Sequence, residues 1–225
     1  NVTVVHLMEW LMERQLDRTA ADMLQQSLEA KGLQFKLKTE TAAIVGDRDD
    51  GAAGHVKAVR FKDGTEIAAD LVVMAVGIRP NTELAQAAGL YCNRGIVVSD
   101  TMQTYDPKIY AVGECVAHRG VAYGLVAPLF EMAKVCANHL AHFGIGRYQG
   151  SVISTKLKVT GIDLFSAGDF SGGPDTEEIV LHDSAGGVYK RLVLRDNRVI
   201  GSVLYGDTVD GAYYFQLLRD KQDVH

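Results

Sequence analysis

Cysteine is scarce in this sequence, and long apolar runs are missing from it. The 225 residues include three cysteines, and this odd, low count argues against a disulfide framework and fits a reducing, cytoplasmic compartment. The longest apolar stretches, such as residues 71–76, are far too short to span a bilayer, and no signal peptide is visible. We therefore expect a cytoplasmic protein that does not interact with membranes.

The sequence also lacks a strong charge of either sign. Lysine and arginine number 23 against 28 aspartates and glutamates, which gives a net charge of −5. No run of basic residues approaches a nucleic-acid-binding patch, so we expect no nucleic-acid partner. Hydrophobic residues make up 47% of the chain, which is enough to build one large domain or two small ones.

Two motifs that would carry chemistry are absent as well. No Gly-x-Gly-x-x-Gly loop follows a predicted strand, because Gly144-Ile145-Gly146 comes after a predicted helix. No Cys-x4-Cys pair occurs, so disulfide reduction by this chain is not expected. The chain starts inside a β-branched run, Val2–Val5, which indicates a fragment of a longer protein; the alternative is a domain that begins with this strand and has lost a few leading residues. Apolar surface around this run and residues 70–76 should then be exposed and drive self-association.

Residues 2–37 predict a strand, a helix and a second strand. Val2–Val5 is typical of a strand buried on both faces. Residues 33–37 predict a second strand. Between them, Asp17 is a good N-cap for a helix that runs to about Lys31. The apolar side chains of this helix lie on one stripe: Ala20, Met23, Leu24 and Leu28. This order of elements favours parallel strand pairing with a right-handed crossover.

Shorter segments follow. Three β-like runs and two intervening turns predict an antiparallel meander: strands at 41–45, 55–61 and 66–69, turns at 47–51 and 62–64. Residues 70–76 are a continuous apolar run and predict a central strand. Two short strands and a helix come next: 96–99, 108–112 and 124–143. The helix should start near Ala127, because Pro128 is tolerated only in a first turn.

From Gly144 onward the sequence is rich in β-like runs. Five strands and a closing helix are predicted: 152–159, 162–170, 177–182, 188–194, 199–205 and 211–218. Asp196 and Asn197 both tolerate positive φ, which suits a tight hairpin between the last two strands. We place a domain boundary near residue 147.

Two glycine-containing motifs carry the candidate chemistry. In the first, the predicted strand at 70–76 leads into Ala75-x-Gly77-x-x-Pro80-Asn81, so Gly77 would lie at the carboxyl end of a strand. Dinucleotides bind at such ends on open sheets, and a missing Cβ lets a cofactor approach the backbone. The alternative is that Gly77 only ends the strand.

The second motif, residues 104–114, runs from a turn through a short predicted strand into Gly113-Glu114. An acid at that point can accept hydrogen bonds from a cofactor hydroxyl, and Gly113 keeps the approach open. A predicted helix N-terminus follows, and its partial positive charge suits an electron-rich ring edge. The alternative is an exposed Glu114 that merely follows a strand.

Two Cys-x2-His units superficially resemble a metal site: Cys115 with His118, and Cys136 with His139. Cys136, however, lies on an apolar helical stripe, which favours packing in a core over binding a metal ion. We therefore expect no metal in this chain.

Together, in this order and spacing, the two glycine motifs resemble the internal signatures of the pyridine nucleotide-disulfide oxidoreductase superfamily, over at least residues 1–143. The resemblance implies an α/β fold, in which a truncated FAD/NAD(P)-binding, three-layer ββα, Rossmann-like module precedes a small α+β interface domain. Residues 1–76 would be the C-terminal part of the NAD(P)-binding domain. Residues 77–146 would be the C-terminal segment of the FAD-binding domain, and residues 147–225 the interface or dimerisation domain.

The resemblance also implies which residues bind FAD. Glu114, supported by Gly113, stands where the family acid contacts the ribityl chain of FAD, although many members have aspartate there. The backbone around Leu125, Val126 and Pro128 would lie near the pyrimidine edge of the flavin.

For the pyridine nucleotide, the resemblance implies two residues. Gly77 would lie near the nucleotide. His6 stands where NAD-preferring members usually carry an acid for the adenosine ribose, so the preference between NAD and NADP is left open. His6 could also simply cap the strand that precedes it.

The runs at residues 2–8, 11–17, 199–210 and 213–220 look more particularly like the reductase module of the nitrite reductase large subunit. That likeness implies an enzyme of nitrate assimilation in which NAD(P)H reduces FAD. Electrons would then pass to iron–sulfur and sirohaem centres outside this chain, where nitrite is reduced to ammonia. The implied partners are electron-accepting domains or a small subunit of the same enzyme, and a homo-oligomer is expected. Alone, the chain should hold neither cofactor tightly and should be inactive.

Two other functions stay open. The chain could belong to a reductase that serves ferredoxin, rubredoxin or another carrier. It could also be a non-catalytic fragment that contributes only oligomerisation through residues 147–225. We single out no general base or nucleophile.

Overall fold

A computed structural model describes residues 1–48 and 54–224 of the chain. The predicted turn at 47–51 therefore lies in part outside the described residues. Twelve strands and four helices follow one another in the described ranges: β1 (Val2–Val5), α1 (Arg18–Glu29), β2 (Leu33–Lys36), β3 (Thr41–Gly46), β4 (Val56–Phe61), β5 (Glu66–Ala68), α2 (Glu83–Ala87), β6 (Ile96–Val98), β7 (Val116–His118), α3 (Val126–Leu140), β8 (Ser154–Val159), β9 (Ile162–Gly168), β10 (Glu177–Asp183), β11 (Val188–Arg195), β12 (Arg198–Tyr205) and α4 (Gly211–Asp220).

The chain forms two compact units. Unit 1 combines Asn1–Val73 with the chain from Val152 onward, and unit 2 is Met74–Ser151. Unit 1 is therefore discontinuous in sequence. The division into three domains at residues 76 and 146 stays a prediction.

The predicted βαβ unit is confirmed at the start of unit 1. Strands β1 and β2 pair in parallel, from Val2 opposite Leu33 to Val5 opposite Lys36. Asp17 caps α1, accepting a hydrogen bond from the Ala20 amide at 3.1 Å. Strand β1 is only half-buried rather than buried on both faces, because in the described residues β2 is its one neighbour.

The predicted meander is confirmed, since β3, β4 and β5 form a three-stranded antiparallel sheet. The predicted central strand at residues 70–76 is wrong. A strand needs a neighbour for its backbone hydrogen bonds, and no described strand pairs with this segment. Its apolar side chains are mostly exposed, which confirms the expected apolar surface there: Leu71 79%, Val73 79%, Met74 74% and Val76 90%.

Unit 2 contains a small parallel sheet. Strand β6 confirms the predicted strand at 96–99 and pairs with β7, which the sequence did not predict. The predicted strand at 108–112 is wrong, because this segment folds back on residues 102–104 through two hydrogen bonds and one isolated bridge. Helix α3 begins at Val126 and buries Pro128 in its first turn, as predicted.

The five C-terminal strands form one antiparallel sheet in the order β10-β11-β12-β9-β8. Asp196 and Asn197 have φ of +49° and +56°, which confirms the predicted hairpin. Because side chains alternate along β12, the two faces of the sheet carry different partners. Val203 and Tyr205 share a core with α1, whereas Leu204 packs in a second core with α4. None of the helices in the described ranges is long and apolar enough to cross a membrane.

Candidate functional site

The Gly113-Glu114 turn in unit 2 offers an open backbone beside an exposed carboxylate. Gly113 has φ of +101°, and no described atom lies within 4 Å of where its Cβ would be. Glu114 is exposed. The turn is tied to the parallel sheet, because the Val116 amide donates to the Gly113 carbonyl at 3.2 Å and the Ile96 amide donates to the Cys115 carbonyl at 2.7 Å. The turn can therefore present a hydrogen-bond acceptor to a polyhydroxyl chain.

The N-terminus of α3 is the second element of the site. The N-cap residue Leu125 makes no side-chain hydrogen bond to the helix, and the first turn carries no acidic residue. Leu125 and Val126 are 37% and 65% exposed, whereas Pro128 is buried and fixes the turn. First-turn amides without intrahelical partners and the positive end of the helix dipole favour an electron-rich group. These features fit the edge of a flavin ring.

Gly77 does not lie at a strand end, and the residue after it contacts the segment that leads into α3. Gly77 has φ of +84° and follows the unpaired segment 70–76, so its predicted place at the carboxyl end of a strand is wrong. The next residue, Ile78, places its Cδ1 atom 3.5 Å from the Cβ position of Gly124. Unit 2 thus brings the Gly77 segment close to Leu125, although the two are far apart in sequence.

His6, in unit 1, directly follows β1. Its amide donates to the Lys36 carbonyl at 2.9 Å, and its carbonyl accepts from the Thr39 amide at 3.1 Å. Its Nε2 atom lies 3.1 Å from Oε2 of Glu13. His6 therefore lies at the carboxyl end of the parallel pair β1–β2, where ligands bind on open α/β sheets. Sequence reasoning missed Glu13, because nothing in the spacing marks a contact across this loop.

Sequence reasoning also missed a polar cluster in unit 2, which is formed around His118. His118 is 1% exposed, and its Nε2 atom lies 2.9 Å from Oδ1 of Asp100. Arg119 donates two hydrogen bonds to the same carboxylate, and the Tyr148 ring packs at a tilt against the His118 ring, with the ring centroids 4.8 Å apart. Hydrogen bonds from Arg119 and His118 lower the pKa of Asp100 to about 2. The cluster fixes the end of β7, which follows the Gly113-Glu114 turn.

The structure gives the two Cys-x2-His units separate surroundings. His118 contacts Asp100, Cys136 is buried beside Met132, and burial raises the pKa of the Cys136 thiol. His139 lies against the Tyr110 ring at 5.7 Å. Within the described ranges, no group of three or more His, Cys, Asp or Glu side chains is placed to hold a metal ion.

Asp100→Asn is expected to destabilise the chain in a pH-dependent way. Because folding lowers the pKa of Asp100 from 3.8 to about 2, its stabilising contribution is complete above pH 3.8 and is lost as the pH falls towards 2. The urea midpoint should therefore differ between wild type and variant at pH 6, and the two should converge near pH 2. Glu83→Gln, an exposed carboxylate in α2, is the control. A difference that stays constant from pH 6 to 2 would contradict this account.

Comparisons with known proteins cover the whole chain. The profile of the family described as pyridine nucleotide-disulphide oxidoreductase matches residues 1–139. The profile of the rubredoxin NAD+ reductase C-terminal domain matches residues 154–222. The two profiles leave residues 140–153 and 223–225 unmatched.

Two curated relatives and one solved structure illustrate the likeness. Nitrite reductase [NAD(P)H] of Bacillus subtilis is 52% identical over 224 residues, which is 100% of this chain and 27% of the relative. The assimilatory nitrate reductase electron transfer subunit of the same organism is 45% identical, over 100% of this chain and 28% of the relative. The putidaredoxin reductase in a covalent complex with putidaredoxin has a TM-score of 0.84 at 26% identity, covering 100% of this chain and 54% of that one.

These matches confirm the predicted α/β fold class of FAD- and NAD(P)-binding oxidoreductases. They also confirm the resemblance to the nitrite reductase large subunit. The chain spans about a quarter of the length of the curated relatives described above.

Proposed function

This chain belongs to the pyridine nucleotide-disulphide oxidoreductase family, and from that membership we propose that it is part of a flavoprotein that carries electrons from NAD(P)H through FAD towards nitrite. The observation that carries the proposal is the 52% identity to a nitrite reductase [NAD(P)H] over the entire chain. The iron–sulfur and sirohaem centres needed to reduce nitrite to ammonia would lie outside this chain. The electron-accepting domains or small subunit that hold them are the proposed partners.

Unit 2 provides the proposed FAD contacts. Bound FAD supplies the exchange of a hydride for single electrons, chemistry that protein side chains lack. The exposed carboxylate of Glu114 can accept hydrogen bonds from ribityl hydroxyls, and Gly113 leaves room for the chain to approach. The first-turn amides of α3, beyond Leu125, can stabilise negative charge at the pyrimidine edge.

Other residues provide the proposed contacts to the nucleotide. Gly77 exposes backbone without a Cβ, and His6 lies at the carboxyl end of β1. Neither residue is a general acid or base in this proposal. Both residues contribute by binding the nucleotide and holding it in an orientation that allows the reaction.

The proposal is tested on the full-length polypeptide that contains this chain. Purified protein is expected to show flavin absorbance and to oxidise NADH or NADPH when nitrite is added, with ammonium as product. A flavoprotein that oxidises the nucleotide with ferredoxin or rubredoxin but not with nitrite would overturn nitrite as acceptor. A protein without flavin would overturn the proposal as a whole.

A reductase for a small electron carrier is the second candidate. The match of residues 154–222 to the rubredoxin NAD+ reductase C-terminal domain favours it. The acceptor comparison above separates the two candidates, because only the terminal acceptor differs between them.

The isolated 225-residue chain is expected to be colourless and inactive, because its sequence contains no Gly-x-Gly-x-x-Gly loop to bind the phosphates of a dinucleotide. The absorbance ratio at 450 and 280 nm of the purified chain, before and after incubation with FAD, measures this. A stoichiometric yellow complex that survives gel filtration would contradict the expectation.

A further inference from the structure

The loop between β1 and α1 contains a histidine and a glutamate, His6 and Glu13, whose side chains contact each other. Its first residue, His6, lies at the carboxyl end of the parallel strand β1. On open α/β sheets, an acid near this edge hydrogen-bonds the 2′-hydroxyl of an NAD ribose, whereas a basic group accommodates the 2′-phosphate of NADP. A histidine alone at this position favours the phosphate.

Glu13 changes the charge at this position. Its Oε2 atom lies 3.1 Å from Nε2 of His6, and the two side chains are 23% and 30% exposed. The second oxygen, Oε1, makes no hydrogen bond with any described residue and can accept one from a ligand. The loop therefore presents a carboxylate next to the histidine, seven residues from the position where the acid would ordinarily stand.

Of the other cations at this edge, Lys38 and Arg18 pair with carboxylates, and Lys36, the last residue of β2, lies over the Phe61 ring at 4.9 Å. Lys38, just beyond β2, pairs with Glu9 at 2.9 Å. Arg18 pairs with Asp22 at 2.9 Å and with Glu9 at 3.4 Å. A 2′-phosphate would thus have to displace an existing ion pair to gain a cation from either side chain, and it would meet the Glu13 carboxylate as well. The one exposed cation left on the loop, Arg14, adjoins Glu13 in sequence.

We propose that Glu13, held by the positioning residue His6, selects NAD(H) over NADP(H). Oε1 of Glu13 accepts a hydrogen bond from the 2′-hydroxyl of the adenosine ribose, and the negative charge repels a 2′-phosphate. The inference rests on the proposed function, because it requires a pyridine nucleotide at the carboxyl end of β1. Glu13 in the loop, rather than His6 at the strand end, then determines the nucleotide specificity.

The test measures equilibrium binding of NAD+ and NADP+ by titration calorimetry to the full-length polypeptide, with no turnover. Wild type is expected to bind NAD+ at least about tenfold more tightly than NADP+, since like charges brought together in a binding site are strongly disfavoured. In Glu13→Gln, which keeps the side-chain length and a hydrogen bond to His6, the ratio of the two dissociation constants should move towards NADP+ by at least about tenfold. Glu13→Asp keeps the charge and should retain most of the preference.

A control variant separates the local effect from the change in net charge. Glu29→Gln removes one exposed carboxylate at the far end of α1 and should leave the ratio within about twofold of wild type. A Glu13→Gln ratio within twofold of wild type would overturn the inference, as would a wild type that prefers NADP+. Equal behaviour of Glu13→Gln and Glu13→Asp would also overturn it, because a purely structural role does not distinguish charge. A full-length protein that binds neither nucleotide would instead overturn the proposed function.

Discussion

Asp17→Ala is expected to lower the free energy of unfolding of unit 1 by about 3 kcal/mol, the sum of a lost helix cap and a lost charged hydrogen bond. The Asp17 carboxylate caps α1 and also accepts hydrogen bonds from Tyr189 at 2.6 Å and Arg191 at 3.0 Å. Its side chain is 10% exposed, and that of Arg191 is 13% exposed. Removing the acid leaves the buried Tyr189 hydroxyl and the partly buried Arg191 guanidinium without this acceptor, which costs more than removing an exposed ion pair.

Trp10 is a suitable probe for this measurement. It is the chain's single tryptophan, and its ring nitrogen donates to the Leu16 carbonyl at 3.3 Å, next to Asp17. Urea unfolding followed by its fluorescence reports on unit 1 directly. The matched control is Asp22→Ala, which removes an exposed carboxylate paired with Arg18 on the same helix and should cost less than about 1 kcal/mol. Equal losses in the two variants would contradict a special role for Asp17.

Tyr189 should remain a donor to Asp17 at moderately alkaline pH. Burial, together with the neighbouring Asp17 carboxylate, raises the pKa of Tyr189 well above its usual value. The contact between α1 and the C-terminal sheet should therefore be insensitive to moderately alkaline pH. The hydrogen bonds from Tyr189 and Arg191 to Asp17 also anchor the far end of the loop at residues 6–17 to β11.

Gly113→Val is expected to lower the FAD content of the full-length polypeptide at least about tenfold, as measured by flavin absorbance per protein. A β-branched residue at φ of +101° is strained by about 1–3 kcal/mol. The turn would then shift to a more ordinary conformation and carry Glu114 away from its present place. The valine side chain would also fill the open space that the cofactor is proposed to approach.

The control for backbone strain is Gly64→Val. Gly64 has φ of +85° in the turn between β4 and β5, and no described atom lies within 4 Å of its Cβ position. It should cost similar stability without loss of flavin. If both variants lose FAD equally, the loss reflects unfolding, and if neither does, Gly113 does not face the flavin.

The features that the sequence predicts well are local ones. The Asp17 cap, the Pro128 helix start and the Asp196-Asn197 hairpin each depend on the conformational preferences of a few adjacent residues. Whether a segment forms a β-strand is harder to predict, since it depends on which other segments of the chain lie beside it. Residues 70–76 and 108–112 have the composition of strands but no parallel neighbour among the described residues, so they form no ladder.

The candidate site shows the same division. Gly77, Gly113 and Glu114 could be proposed as site residues because the motifs place them in short sequence windows. Glu13 and Asp100 could not, because each acts through a contact whose partner, His6 or His118, lies seven or eighteen residues away across a loop. Such contacts depend on how the backbone turns, and sequence spacing alone does not determine that.

The discontinuity of unit 1 has a consequence for synthesis on the ribosome. The apolar face of α1 shares its core with Val203 and Tyr205 of β12, and the Ser27–Tyr205 hydrogen bond spans 178 residues. Leu24 and Leu28 therefore leave the exit tunnel long before their partners do, because residues 74–151, which belong to the other compact unit, are made in between. During that interval the nascent helix presents an uncovered apolar stripe, and we expect chaperones to bind there until the last strands emerge.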